Sequence, residues 1–153
     1  MRKVPLKNYI IMSIILIAIV ITTIFLANIY NNRFTKTSIM YNYLSEIKKK
    51  DIDTYLLEKP NIILYVSDKY DISNEKIEEK IKNNIIKYNA KEYFVYLDLN
   101  DNNKDFIDTL NKKYNGHINK QIPLIIIIEE GKIINTYYEL ENVDIKELTG
   151  DIK

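Results

Sequence analysis

The chain has no cysteine, no tryptophan and one histidine, with three prolines in 153 residues. Without cysteine, a disulfide framework and a thiolate metal site are both impossible. The single histidine, His117, has no second histidine with which to share a zinc ion, and a catalytic histidine needs a nucleophile or carboxylate held beside it. Following Gly116, it reads as a surface loop residue. Basic charge is also lacking where it would matter. Residues 1–37 hold five basic and no acidic side chains, which leaves 17 basic against 21 acidic in residues 38–153, a net of minus four. Phosphate backbones require a basic footprint, so nucleic acid is not expected as a partner, and no cofactor or metal is expected either.

What the chain has in plenty is Ile, Asn, Lys and Tyr, the residues of AT-rich codons. That points to a bacterial genome and carries no functional information. Residues 8–32 contain no charge, and residues 10–26 are almost wholly apolar. As a helix rising about 1.5 Å per residue, this run is long enough to cross a hydrocarbon layer of about 30 Å. A cleavable signal peptide has an apolar region of only about 7 to 15 residues and a small-x-small cleavage site. Here the run is longer and is followed by LANIYNNR, where Ala27 is the one small residue near the right place. A buried core helix would have a polar side, and this run is apolar on every face.

The predicted organisation is a cytoplasmic tail at residues 1–8, a transmembrane anchor at 9–31, a linker at 32–38 and a folded domain at 39–153. Arg2, Lys3 and Lys7 precede the span and Arg33 and Lys36 follow it, so local basic charge is nearly balanced. Long downstream domains translocate largely regardless of charge, so the expected topology is amino terminus inside and domain outside, with membrane lipid as the anchor's partner.

Within the domain, Ile39, Met40, Tyr43, Leu44 and Ile47 recur at helical spacing. Lys48, Lys49 and Lys50 interrupt the pattern; they could touch anionic lipid, but a solvated helix end explains them more simply. DIDTYLLEKP adds about one helical turn, and Pro60 ends it. NIILYVS, residues 61–67, has the length and composition of a strand buried on both faces. Ile77, Ile81 and Ile85, with Ile86 adjacent, form an amphipathic helix from about Ser73 to Tyr88, which Asp71 or Ser73 can cap. YFVYLD, residues 93–98, is a second strand. A helix with inner face Phe106, Ile107, Leu110 and Tyr114 follows and stops at Asn115 and Gly116. LIIIIE, residues 124–129, is a third strand, Gly131 turns the chain, and KIINTYY returns as a fourth. Val143 to Leu148 closes with a short helix. The expected fold is an α/β domain with a four-stranded mixed sheet and helices on both faces.

That order of elements, with Ile122-Pro123-Leu124 opening the third core strand and IIIIEEGKII behind it, resembles the thioredoxin-like family. The segment YFVYLDLNDN is similar to the family's acidic turn after its second core strand. The resemblance covers nearly the whole soluble part. It implies a cis peptide bond before Pro123, where the missing N–H donor of proline costs little at a strand's first residue.

The same resemblance shows what is lost. The family's Cys-x-x-Cys would fall in SDKYDISNEK, at about Tyr70 and Ser73. Its buried carboxylate would fall near Leu64, and Leu124 stands where a threonine usually follows the proline. Disulfide exchange is excluded on chemical grounds. A short anchored chain with KPNIILYVS before the loop is also similar to small accessory thioredoxin-like proteins of Gram-positive bacteria, including those encoded with bacteriocin export systems. In those the loop usually keeps a cysteine.

The other candidate sites reduce to plainer readings. Asp98, Asn100, Asn102 and Asp105 hint at a calcium loop, but Asn103 and Thr109 stand where glycine and glutamate are required. Glu129 and Glu130 flank a hairpin turn, where alternation separates them. Ser73 has no identifiable base, so an enzyme is not expected. Of 13 tyrosines, most lie at core spacings; Tyr70 is the exception. The candidate site is a groove formed by Asp68, Lys69, Tyr70, Asp71 and Ser73 with Gln121, Ile122 and Pro123, docking an extended protein or peptide without chemistry. The expected function is a membrane-anchored, redox-inactive binding domain that serves export or envelope assembly. The alternative is a scaffolding subunit of a membrane complex that makes no use of the groove.

Overall fold

The computed structural model describes residues 5–34, 36–100 and 102–150. Half of the tail expected at residues 1–8, its residues 1–4, lies outside them, as do the last three residues of the domain. The chain divides into two units, residues 1–36 and 37–153.

The first unit is one long helix, α1 (Leu6–Phe34). Its described side chains are exposed all round, and the stretch Lys7–Tyr30 is long and apolar enough to cross a membrane. The serine and threonine hydroxyls in that stretch are turned onto the helix's own backbone. Ser13, Thr22 and Thr23 donate to the carbonyls of Tyr9, Ala18 and Ile19 at 2.9, 2.8 and 2.9 Å, which removes their polarity from the helix surface.

In the second unit the described residues form a five-stranded sheet in the order β1-β3-β2-β4-β5. Strands β2 (Ile62–Ser67) and β3 (Phe94–Asp98) are parallel and joined by α4 (Glu75–Lys87). Strands β4 (Leu124–Glu129) and β5 (Lys132–Tyr137) form an antiparallel hairpin, and β4 runs antiparallel to β2. Helix α5 (Phe106–Lys113) joins β3 to β4, and α6 (Ile145–Gly150) closes the chain.

The sheet has five strands where four were expected. The additional one is β1 (Ser45–Glu46), a two-residue edge parallel to β3. It lies inside the stretch read as continuous helix from Ile39 to Ile47. The helix there, α2 (Ile39–Tyr43), stops because Leu44 is extended, with φ −91° and ψ 161°. Met40 and Leu44 pack on one face of the sheet while Ile47 packs on the other. A spacing that looked helical is a chain crossing the sheet edge, secured by Ile47 N–H donating to Tyr96 O at 2.8 Å. A single helical turn and α3 (Ile52–Glu58) then lead to β2.

The central strands are buried on both faces, and alternate residues serve two cores. Leu64, Val66, Val95, Leu97, Leu124 and Ile126 pack against α3 and α5. Tyr65, Phe94, Tyr96, Ile125 and Ile127 pack against α2, α4 and α6. Fully burying one such apolar side chain is worth about 1.5–3 kcal/mol.

The turns hold local surprises. Glu130 (φ 49°) and Gly131 (φ 72°) are both left-handed, which makes the two-residue turn that matches hairpin twist. At the end of α5 the left-handed residue is Asn115 (φ 55°). Gly116 is needed for space instead, since a Cβ there would stand 2.6 Å from Ile133 Cδ1. Neither Asp71 nor Ser73 caps α4. The cap position is Asn74, whose side chain makes no capping bond: its amide donates to Asp71 Oδ2 and Ser73 Oγ, while Asp71 Oδ1 accepts from Ser73 N.

Candidate functional site

Strand register brings the two halves of the expected groove to one end of the sheet. Val66 pairs with Leu124, so the loop leaving β2 at Asp68 starts where Gln121, Ile122 and Pro123 deliver the chain into β4. The Ile122–Pro123 peptide is cis, as the resemblance implied. Ile122 and Pro123 are half-buried and Gln121 is exposed.

The loop is braced by its own aspartates. Asp68 Oδ1 accepts from Tyr70 N at 2.8 Å, Asp68 O accepts from Asp71 N at 3.0 Å, and Asp71 Oδ1 accepts from Ser73 N at 2.8 Å. Such side-chain turns are what aspartate offers the backbone in short loops. Lys69 is the tie to the rest of the domain. Its N–H donates to Asp98 Oδ1 at 3.0 Å, its carbonyl accepts from Ser38 N at 2.8 Å, and its ammonium stands 3.8 Å from Asp98 Oδ2. The ammonium also lies 5.0 Å from the Tyr70 ring centroid and 5.8 Å from that of Tyr41. Burial opposes the lysine charge, but Tyr70, Asp98, Tyr41 and Glu46 together outweigh it and hold its pKa above the ordinary value. Tyr70 itself projects, 55% exposed.

Tyr70 and Ser73, at the positions expected of the family's cysteines, are both exposed; Leu64, expected in place of its carboxylate, is fully buried hydrocarbon. The calcium-like cluster is a set of turns: Asn103 Oδ1 accepts from Asn100 N, Asn100 Oδ1 accepts from Asn102 N, and Asp105 pairs with Lys120. His117 is exposed on its loop. A separate apolar hollow of about 580 Å³, lined by Leu56, Leu57, Pro60 and Tyr114, includes none of the groove residues.

Sequence reading missed a buried polar cluster behind the loop. Glu78, in α4, is 1% exposed. Its Oε1 accepts from Ser38 Oγ at 2.8 Å and Tyr65 OH at 3.1 Å, and its Oε2 accepts from Ile39 N at 2.8 Å and Met40 N at 3.4 Å. Burial pushes the Glu78 pKa up, and these four hydrogen bonds oppose that shift. Desolvation likewise pushes the Tyr65 and Tyr96 hydroxyls up, with the Glu78 charge adding to the effect at Tyr65. Tyr96 OH donates to Ser67 O at 3.0 Å, at the root of the same loop. One signal was available: Glu78 precedes Ile81 by three residues and Ile85 by seven, so it sits on the buried stripe.

No protein-family profile matches the chain, and no curated protein sequence does. Among solved structures it is similar to the thioredoxin of Fasciola hepatica, with a TM-score of 0.51 and 13% identity over 72% of this chain and 99% of that one. At that identity the likeness speaks for the fold alone. The second unit therefore has a thioredoxin-like α/β fold, preceded by an apolar helix and built without cysteine.

Proposed function

We propose that this chain is a membrane-anchored, redox-inactive thioredoxin-like domain that binds protein or peptide. Helix α1 serves as a single-pass anchor with the amino terminus inside. The domain stands outside the membrane and serves export or envelope assembly. The groove between Asp68–Ser73 and Gln121–Pro123 is the docking surface, and its role is binding without disulfide exchange, for which the chain has no thiol.

One observation carries the reading. A loop held rigid by its own aspartates presents a half-exposed tyrosine at the strand end where β4 begins. Preorganised loops lose little entropy on binding, and tyrosine provides contact area at low conformational cost. The test is a photocrosslinking amino acid at position 70 in native membranes, with position 57 on α3 as a control that is more exposed still. Capture of a discrete partner from 70 and not from 57 is expected. No capture from 70, in a chain whose anchor substitutions abolish function, favours the scaffolding role. A reporter fused after residue 153 should be active outside the membrane and silent inside.

A further inference from the structure

Beside the groove lies a part of the domain that serves no evident purpose in it: the short segment from Ser38 through α2, which comes first in the domain after the long helix. Helix α2 has five residues, well below the length at which a helix holds itself together in water. Yet it is fixed by a fully buried carboxylate. Of the four described donors to Glu78, three belong to Ser38, Ile39 and Met40, and the fourth is the Tyr65 hydroxyl. A buried carboxylate is costly unless its partners are in place, so this arrangement exists only while the segment is docked.

Ser38 is the joint. It is 2% exposed, and each of its polar groups is used. The hydroxyl donates to Glu78 and accepts from Tyr41 N at 3.1 Å, the carbonyl accepts from Asn42 N at 3.2 Å, and the N–H donates to Lys69 O at 2.8 Å. That last bond runs from the segment straight into the loop, at the residue whose own N–H is held by Asp98. The Tyr41 ring, one turn further on, meets the Tyr96 ring edge-on with centroids 5.5 Å apart, and Tyr96 in turn holds Ser67 O. The loop is therefore tied to the segment at both Ser67 and Lys69.

We propose that Ser38 and Glu78 are positioning residues for the Asp68–Ser73 loop. They form a clamp through which the segment between the membrane helix and the sheet sets the loop's shape. The clamp goes beyond the binding role and stands whether or not the groove is occupied.

The test is amide hydrogen exchange on the full chain in detergent micelles, comparing the parent with S38A and E78Q. S38A removes the hydroxyl and leaves the backbone; E78Q leaves one acceptor oxygen where there were two. Exchange of the Lys69, Tyr70 and Asp71 amides should quicken by at least about fivefold in both, the effect of losing one net hydrogen bond on a local opening. The amides of β2 and β4 should keep their parental rates. Faster exchange confined to residues 39–41 would mean that the segment merely docks and sets nothing. A rise in β2 and β4 in step with the loop would mean that the cluster supports the whole fold and positions nothing in particular. If E78Q does not fold, S38A decides alone.

Discussion

The two faces of the sheet are built from the same strands and do different work. One face, between the sheet and helices α3 and α5, is almost pure hydrocarbon: Leu64, Val66, Leu97, Ile126 and their neighbours, with Tyr114 at its rim giving its hydroxyl to Asp53. The other face, under α2, α4 and α6, holds Ser38, Tyr65 and Glu78 in one hydrogen-bonded cluster, with the Tyr96 ring against Tyr65 and its hydroxyl on Ser67 O. Dispersion and burial have no direction, so a dry face stabilises without specifying where a surface loop goes. Hydrogen bonds in a low-dielectric interior are directional and costly to leave unmade. From the polar face Ser38 N–H reaches Lys69 O in the loop Asp68–Ser73, and among the described residues no buried side-chain polar atom is left without a partner.

The comparison breaks first on the dry face. Ile126→Ala or Leu64→Ala, each at a fully buried position, should lower stability by about 3–4 kcal/mol, measured by denaturant unfolding of the full chain in mild detergent. Glu78→Ala should come next at about 2–3 kcal/mol, because it strands the donors of Ser38, Ile39, Met40 and Tyr65 rather than leaving a simple void. A cost near zero would reduce the polar face to decoration. Tyr65→Phe removes one donor and should cost about 1 kcal/mol in the parent. In a Glu78→Ala background it should cost clearly less, and that non-additivity is what identifies a network.

The pH dependence sharpens the contrast. Glu78 has a folded-state pKa raised above its unfolded one by burial. Between the two values the folded state holds the proton more tightly, so this group's contribution to stability falls as pH rises from the unfolded value through the folded one. Glu78→Gln cannot titrate. The stability of the variant minus that of the parent should therefore grow as pH is raised from about 4.5, near the ordinary glutamate value. A difference that stays flat between pH 4 and 8 would show that the cluster holds the carboxylate at its ordinary pKa. The smallest effect is expected at the surface. Tyr70→Ala should change stability by no more than about 0.5 kcal/mol while abolishing capture by a photocrosslinker placed instead at the exposed position 121.

Much of this was legible in the residues, and the failures have a common cause. The long apolar helix, the four longer strands and helices α4 and α5 all follow from runs and periodicities within a dozen residues of one another. Where the period was ambiguous the reading slipped: Met40, Leu44 and Ile47 are spaced as on a helix, yet they divide between the two faces of the sheet at β1. The residues proposed for the groove were chosen through the Ile-Pro pair, whereas the buried cluster behind the loop was not anticipated, because Ser38 and Glu78 lie 40 residues apart. Glu78 carried a hint in its place on the Ile81–Ile85 stripe. No local rule says that an acidic residue there will find Ser38, Tyr65 and two backbone amides waiting.

What the sequence by itself determined is composition and local order: a helix long and apolar enough for a membrane, a strand-and-helix succession of thioredoxin type, and the loss of every thiol. Tertiary structure alone decided the strand order and which side each strand residue faces. IILYVS and LIIIIE are buried on both sides and show no alternation from which a face could be read. It also decided that one glutamate is buried, since the free energy of that burial depends on donors the chain supplies only once it has folded.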